Sequence, residues 1–326
     1  MKLNKEFKEF HKNIKVVYSN ELIEKRKMFE DEIKDSLPDI LKKHDITVKK
    51  SEVEFFIQGS CATHTLVDTG GDVDLDLAVV LPIDKEKNDD CRKIKGYVRD
   101  SISTYNRTIE FKRPCITVDY QSEPLHIDFP VYSLYNNQYY LAVGEEYSTD
   151  FEWERCEPKK LNEYFNGYLA DNDQLRRIVR YLKKWKSICF EEGNGMPPSI
   201  AMTLLACTYF EEKKENNEYD DLTALYNVVK KIKDSIPFGE SPEFKVALPT
   251  YPYSDTMHKI NNNQSYRRSF KNKVENLYLQ LTNAINASDD YTAGTYMQKI
   301  FGDIFPLPEK QVDASENKYR GTGHFG

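Results

Sequence analysis

Residues 56–81 read FIQGSCATHTLVDTGGDVDLDLAVVL. Three aspartates, Asp72, Asp74 and Asp76, alternate where an apolar run begins. In a strand, alternate side chains share a face, so Asp74 and Asp76 stand side by side with Cα atoms roughly 6.5–7 Å apart. Carboxylates so placed, when desolvated and unpaired, repel one another and resist ionisation. A pair of divalent cations roughly 3.5–4 Å apart removes that repulsion and activates phosphoryl chemistry. Oxygen-only ligands suit Mg²⁺ or Mn²⁺ rather than zinc. The competing reading is a solvated turn, for which TGGDVD is also suitable chemistry.

The flanks favour a site. After the strand-like EFFIQ, Gly59 lets the backbone approach a ligand closely, and Ser60 offers an amide and a hydroxyl at the start of a short helix, where phosphate oxygens bind well. Farther on, LHIDFPVY puts Asp128 inside an apolar strand, a costly position unless something pairs with it. A core aspartate bonded to a backbone amide or an arginine is the alternative there.

Around this stretch the chain divides by pattern. Residues 19–43 carry helical periodicity in Leu22, Ile23, Phe29, Ile33, Leu37, Ile40 and Leu41. Between about 52 and 142, short β-rich runs (EFFIQ, VDLDLAVVL, TIEFK, CITVDY, LHIDFPVY, YYLAV) surround one helix near 88–104, which predicts a mixed α+β sheet rather than regular βαβ repeats. After Pro158 the pattern turns helical, over 158–170, 173–191, 199–213, 221–234, 265–286 and 290–301. FEEKKENNEYDD at 210–221 reads as a solvated connection. The division expected is 1–157 for a core with N-terminal helices, 158–310 for a helical nucleotide-binding domain and 311–326 for a flexible tail.

At 326 residues the chain can bury a full core. A formal net charge of −7 provides no global basic field for a long duplex nucleic acid. The six cysteines are never closer than eighteen residues, so local pairs build neither a zinc ribbon nor a CxxC redox site. The N-terminus lacks an apolar leader core, and no apolar run approaches the roughly 20 residues of a membrane span. A cytoplasmic protein without a membrane segment is expected.

A Gly-Ser pair after a strand, alternating aspartates leading into an apolar strand and a lone aspartate on a later strand resemble the polymerase-β-like nucleotidyltransferase superfamily. IVRYLKKWKSICFEEGNGMPPSIAMTLLA resembles the helix pair of the oligoadenylate synthase and cyclic GMP-AMP synthase group, in which a basic helix ending in Lys-x-Trp precedes Pro-Pro-x and a second helix. With the GSCATHT start and no cysteine zinc module, the chain looks most like the bacterial CD-NTases, signalling synthases of CBASS anti-phage systems. The likeness covers roughly residues 50–210.

The resemblance implies a polymerase-β-like core packed against a C-terminal helical domain. It also implies two Mg²⁺ or Mn²⁺ ions on Asp74, Asp76 and Asp128, with ATP- or GTP-type NTPs joined into a cyclic di- or trinucleotide with release of pyrophosphate. Lys183 falls where the family binds the donor triphosphate, Ser199 at another phosphate contact and Arg180 where oligoadenylate synthases touch nucleotide; Gly59 and Ser60 complete the phosphate cradle. The family needs two alternating acids. The apolar continuation after Asp76 selects Asp74 and Asp76, whereas the shorter spacing from Gly59 keeps Asp72 in reserve. His64 is read as a bystander, and Tyr251, Tyr253 and Tyr266 as base-stacking or core residues.

Taken without the resemblance, Arg176, Arg180 and Lys183 form a basic stripe separate from the apolar face of Leu175, Ile178, Val179, Leu182, Trp185 and Cys189, and a solvated face is the commoner fate of such stripes. The rival functions are nucleotidyl transfer to a macromolecule, an RNA end or a protein, and a silent nucleotide-binding module, which would need a lost carboxylate. The tail VDASENKYRGTGHFG reads either as a frayed end or as a substrate for a ubiquitin-like activating enzyme of the kind some CBASS operons carry, with Gly326 as the conjugation site.

Overall fold

The computed structural model describes residues 2–68, 70, 73–103, 107–120, 125–191, 193 and 195–310. Two helices open the chain, α1 (Asn4–Ile14) and α2 (Asn20–Lys42). Ser19 caps α2 by accepting from the Leu22 amide, and Leu22, Phe29, Ile33, Leu37 and Leu41 form its buried stripe. There follow β1 (Glu54–Ile57), a single turn α3 (Gly59–Ala62), β2 (Val73–Leu81), α4 (Cys91–Ser101), β3 (Thr108–Phe111), β4 (Ile116–Asp119), β5 (Leu125–Phe129), β6 (Val131–Tyr135), β7 (Gln138–Gly144) and β8 (Phe151–Cys156). The rest is mainly helical: α5 (Pro158–Leu169), α6 (Asp173–Cys189), α7 (Ser199–Tyr209), a hairpin of β9 (Lys214–Glu215) and β10 (Glu218–Tyr219), α8 (Asp221–Ser235), α9 (His258–Asn261), α10 (Gln264–Asn286) and α11 (Asp290–Phe301).

Strands β1–β8 form one mixed sheet, ordered β3-β4-β5-β2-β6-β7-β8, with β1 also on β2. LHIDFPVY is read as one strand by its pattern, and the register explains why it becomes two. Strand β5 pairs parallel with β2 from Val73↔Leu125 to Asp76↔Asp128, and β6 continues the same offset from Val79↔Val131. Pro130 sits at the break because it has no N–H to donate, while its carbonyl still accepts from Val79.

Alternation gives β2 two different faces. Leu75, Leu77, Val79 and Leu81 join the core beneath α2 and α4, while Ala78 and Val80 join a small cluster with Tyr132 on the other face. Asp74 and Asp76 lie in phase with Ala78 and Val80, on the face away from the α2–α4 core.

Three differences from the sequence pattern have physical causes. Strand β8 pairs along β7 from Gly144↔Phe151 to Tyr139↔Cys156, although its sequence FEWERC is half charged; a partner strand stabilises it where local propensity does not. The segment read as a solvated connection holds the β9–β10 hairpin, whose Asn216 and Asn217 both take positive φ, the geometry of a two-residue primed turn. Helix α1, assigned with the first half by chain order, packs its Phe7, Phe10 and Ile14 into the helical core beside Tyr181, Phe301 and Phe305.

Candidate active site

The register that orders the sheet also assembles a carboxylate row. Asp76 on β2 lies opposite Asp128 on β5, and Asp128 lies opposite Thr117 on β4, whose hydroxyl donates to Asp128 Oδ1. Asp74 stands two residues before Asp76 on the same face. Burial, then the charges of Asp128 and Asp74, push the Asp76 carboxyl up to about 7, and Lys183 offsets this in part.

Gly59 is required here twice over. Its φ is +63°, and a Cβ built on it would lie 2.2 Å from Asp76 Oδ2. The Gln58 N–H donates to the Asp76 carbonyl at 2.9 Å, which fixes this approach from the backbone side.

A cleft of about 350 Å³ opens above the row. Gly59, Ser60, Asp74, Asp76 and Asp128 line it from the sheet side, and Lys183, Ser199 and Thr203 from the helices. The Lys183 ammonium is buried and donates to the Thr65 hydroxyl at 3.0 Å and to the Thr65 carbonyl at 3.3 Å. Burial, then Lys186 and Arg180, push it down to about 7, while Asp76 and Asp74 pull the other way. Lys186 donates to Ser199 Oγ at 2.9 Å, and its pKa is also lowered by burial. An ammonium buried against a hydroxyl and a carbonyl at the edge of a cleft suits a site that receives an anion.

The donor set fits divalent cations in chemistry: all oxygen, carboxylate-rich and mutually repelling. Among the described residues no three His, Cys, Asp or Glu side chains converge closely enough to make a ready metal cage. In phosphoryl-transfer sites Mg²⁺ is bound by one or two carboxylates together with substrate phosphates.

The cleft brings together seven of the residues singled out from sequence: Gly59, Ser60, Asp74, Asp76, Asp128, Lys183 and Ser199. It does not include Arg180, for which a nucleotide contact was expected. Arg180 Nε donates to the Leu66 carbonyl at 2.9 Å, another guanidinium nitrogen donates to the His64 carbonyl, and a third contacts His11 Nε2 at 3.1 Å. It lines a separate cavity with Arg176, Arg177 and His11. The physical reason is position along the helix: Arg180 and Lys183 share a face of α6 but stand roughly 4.5 Å apart along its axis, so Arg180 meets the His64 and Leu66 carbonyls while Lys183 meets Thr65.

Of the basic stripe, Arg180 and Lys183 are buried, as are the neighbouring Lys184 and Lys186. His64 lends its backbone carbonyl to Arg180. None of Tyr251, Tyr253 and Tyr266 lines the cleft; the Arg155 guanidinium covers the Tyr251 ring at 4.4 Å. Asp72 and Gly326 lie outside the described residues. Sequence reasoning missed Gln58, Asn162 and Thr203 in the lining and Lys186 behind Ser199. Only Lys186 carried a signal, its i+3 spacing from Lys183.

The mixed sheet, the acidic row and the helical wall define a polymerase-β-like nucleotidyltransferase fold. The model of the DncV-like cyclic GMP-AMP synthase nucleotidyltransferase domain matches residues 53–132, and that of the cyclic GMP-AMP synthase C-terminal domain matches residues 172–311. The chain belongs to the CD-NTases, in their DncV-like branch.

A cyclic GMP-AMP synthase of Escherichia albertii is 28% identical over 188 residues, a segment that spans 53% of this chain and 41% of that relative. The crystal structure of Vibrio cholerae DncV cyclic AMP-GMP synthase superposes with a TM-score of 0.70 at 18% identity, over 90% of this chain and 93% of that one. The same enzyme in complex with the linear intermediate 5′ pppA(3′,5′)pG gives 0.70 at 17% identity, over 91% and 95%. Escherichia coli DncV bound to 3′-deoxy GTP gives 0.68 at 15%, over 90% and 93%.

Proposed function

We propose that the protein is a metal-dependent nucleotidyltransferase that joins two purine NTPs into a cyclic dinucleotide, of the GMP-AMP type its relatives are named for, with release of pyrophosphate. The observation that carries this reading is the registered row Asp74, Asp76 and Asp128 facing Lys183 and Ser199 across one cleft. Asp74, Asp76 and Asp128 are the ligands for two Mg²⁺ or Mn²⁺ ions, which when bound neutralise the triphosphate and lower the pKa of the attacking hydroxyl.

The chain's own groups position the substrates. Ser60, Lys183 and Ser199 hold the donor triphosphate so that its α-phosphorus lies in line with the acceptor 3′-hydroxyl, and the Gly59 backbone shapes the floor. Asp128 accepts the proton of that hydroxyl. A second attack in the same cleft closes the ring.

The setting implied by the family is anti-phage signalling in the bacterial cytoplasm, with Gly326 as a site of conjugation by a ubiquitin-like activating enzyme. Incubation of the purified chain with labelled ATP and GTP in Mg²⁺ or Mn²⁺ tests the chemistry. A phosphatase-resistant, nuclease-P1-sensitive cyclic product supports it; labelled RNA or protein in place of that product, or no turnover, refutes it. A chain lacking residues 322–326 should keep turnover and lose covalent adducts when the neighbouring operon proteins are present. Adducts that persist refute the conjugation site.

A further inference from the structure

From Thr63 in the cleft wall to Thr65 behind it runs a chain of hydroxyls that no part of the proposed chemistry uses. Lys183 Nζ donates to Thr65 Oγ1 at 3.0 Å, Thr65 Oγ1 lies 2.9 Å from Thr63 Oγ1, and Thr63 Oγ1 donates to the Gly59 carbonyl at 3.1 Å. The direction of the chain is set from both ends. An ammonium only donates, so the Thr65 oxygen accepts from it and must send its own proton elsewhere. A carbonyl only accepts, so Thr63 gives its proton to Gly59 and must accept from Thr65. Both threonines are buried, Thr65 completely, so water does not compete for these bonds.

We propose that Thr65, acting through Thr63, is a positioning residue that couples Lys183 to the Gly59–Ser60 turn, so that the cation meeting the donor triphosphate also holds the loop beneath it. The inference rests on the nucleotidyltransferase reading of the cleft. Thr65 touches no substrate, since its side chain lies behind the lining. Lys183 keeps one further N–H donor for phosphate while two remain on the Thr65 hydroxyl and carbonyl. The charge of the ammonium polarises the relay toward the carbonyl of Gly59, the residue whose Cα passes close to the Asp76 carboxylate with a φ of +63°.

The test compares Thr65→Val, which keeps shape and removes the hydroxyl, with Thr65→Ser, which restores it. The backbone of the segment stays clamped by Arg180 on His64 and Leu66 and by the Thr65 N–H on the Ser60 carbonyl, so both variants should fold. In the full chain, Thr65→Val should raise the NTP KM about tenfold with a smaller change in kcat, the size expected when a bond to a charged donor is lost. Thr65→Ser should restore it, and adding Lys183→Met to Thr65→Val should cost little beyond Lys183→Met alone.

In the nucleotide-free protein, amide hydrogen exchange across residues 58–66 should speed up in Thr65→Val and not in Thr65→Ser. An unchanged KM in Thr65→Val, or equal defects in the two variants, overturns the relay. If the wild-type chain turns over no NTP, the synthase reading fails independently, and the exchange comparison alone decides the relay: equal exchange in wild type and Thr65→Val overturns it.

Discussion

Asp76 sits in an electrostatic conflict, buried beside the charges of Asp128 and Asp74. Its carboxyl is held near 7 in the folded chain against an ordinary value of 3.8, so between those limits the folded state keeps a proton that the unfolded state has released. Stability from this group is therefore greatest below pH 3.8 and is lost as pH rises to about 7. Asp76→Asn removes the conflict. In EDTA, its thermal midpoint should exceed that of the wild type by an amount that grows from pH 4 to pH 7 and then levels, with a ceiling of about 4 kcal/mol. The same variant should lose NTP turnover by at least about 100-fold. Equal midpoints at pH 8 would place the Asp76 carboxylate in water. A site that is destabilising when empty is the expected cost of holding charge ready for a ligand.

At the scale of elements, α6 is the beam between the two halves. One of its faces reaches the 64–68 segment through Arg180, Lys183 and Lys184, and another holds α8 through a buried knot. In that knot Asp221 accepts from Arg177 at 2.6 and 2.8 Å, from Tyr181 at 2.9 Å and from Gln174 at 3.1 Å. Asp221→Ala leaves the Arg177 charge buried and should cost about 3–5 kcal/mol in chemical denaturation. NTP KM measured well below the melting range should stay close to the wild-type value, because the knot faces away from the cleft. A large KM change with little loss of stability would mean that the knot belongs to the site. The sequence showed α6 and its basic residues but not their partners, since a stripe three and four residues apart looks the same whether it faces solvent, a carbonyl or a phosphate.

At the scale of the molecule, the chain builds two cores that meet at the cleft, one under the sheet and one among the helices. Helix α1 stands at the start of the chain yet closes the helical core, where Phe10 stacks on Tyr181 and contacts Phe301 and Phe305. Phe10→Ala should cost about 3–5 kcal/mol in denaturant unfolding, as a fully buried ring does. Hydrogen exchange should report the loss in α6 and α11 more than in β2 and β5. Loss confined to the sheet would overturn the assignment of α1 to the helical core.

The sequence by itself determined what depends on near neighbours. Two-residue alternation put Asp74 and Asp76 on one face of a strand, the Gly-Ser pair marked a tight approach, and 3.6-residue periodicity outlined α2, α6 and α10. Motif likeness carried these to a family. Tertiary structure decided what depends on distant pairing. It put Asp128 opposite Asp76 through a register fifty-two residues apart, stabilised β8 by its partner strand and sent α1 to the far core. It also turned Arg180 toward carbonyls while Lys183, one turn on, faced the cleft. Helical phase is written in the sequence, but the groups standing against each phase are supplied only when the chain folds back upon itself.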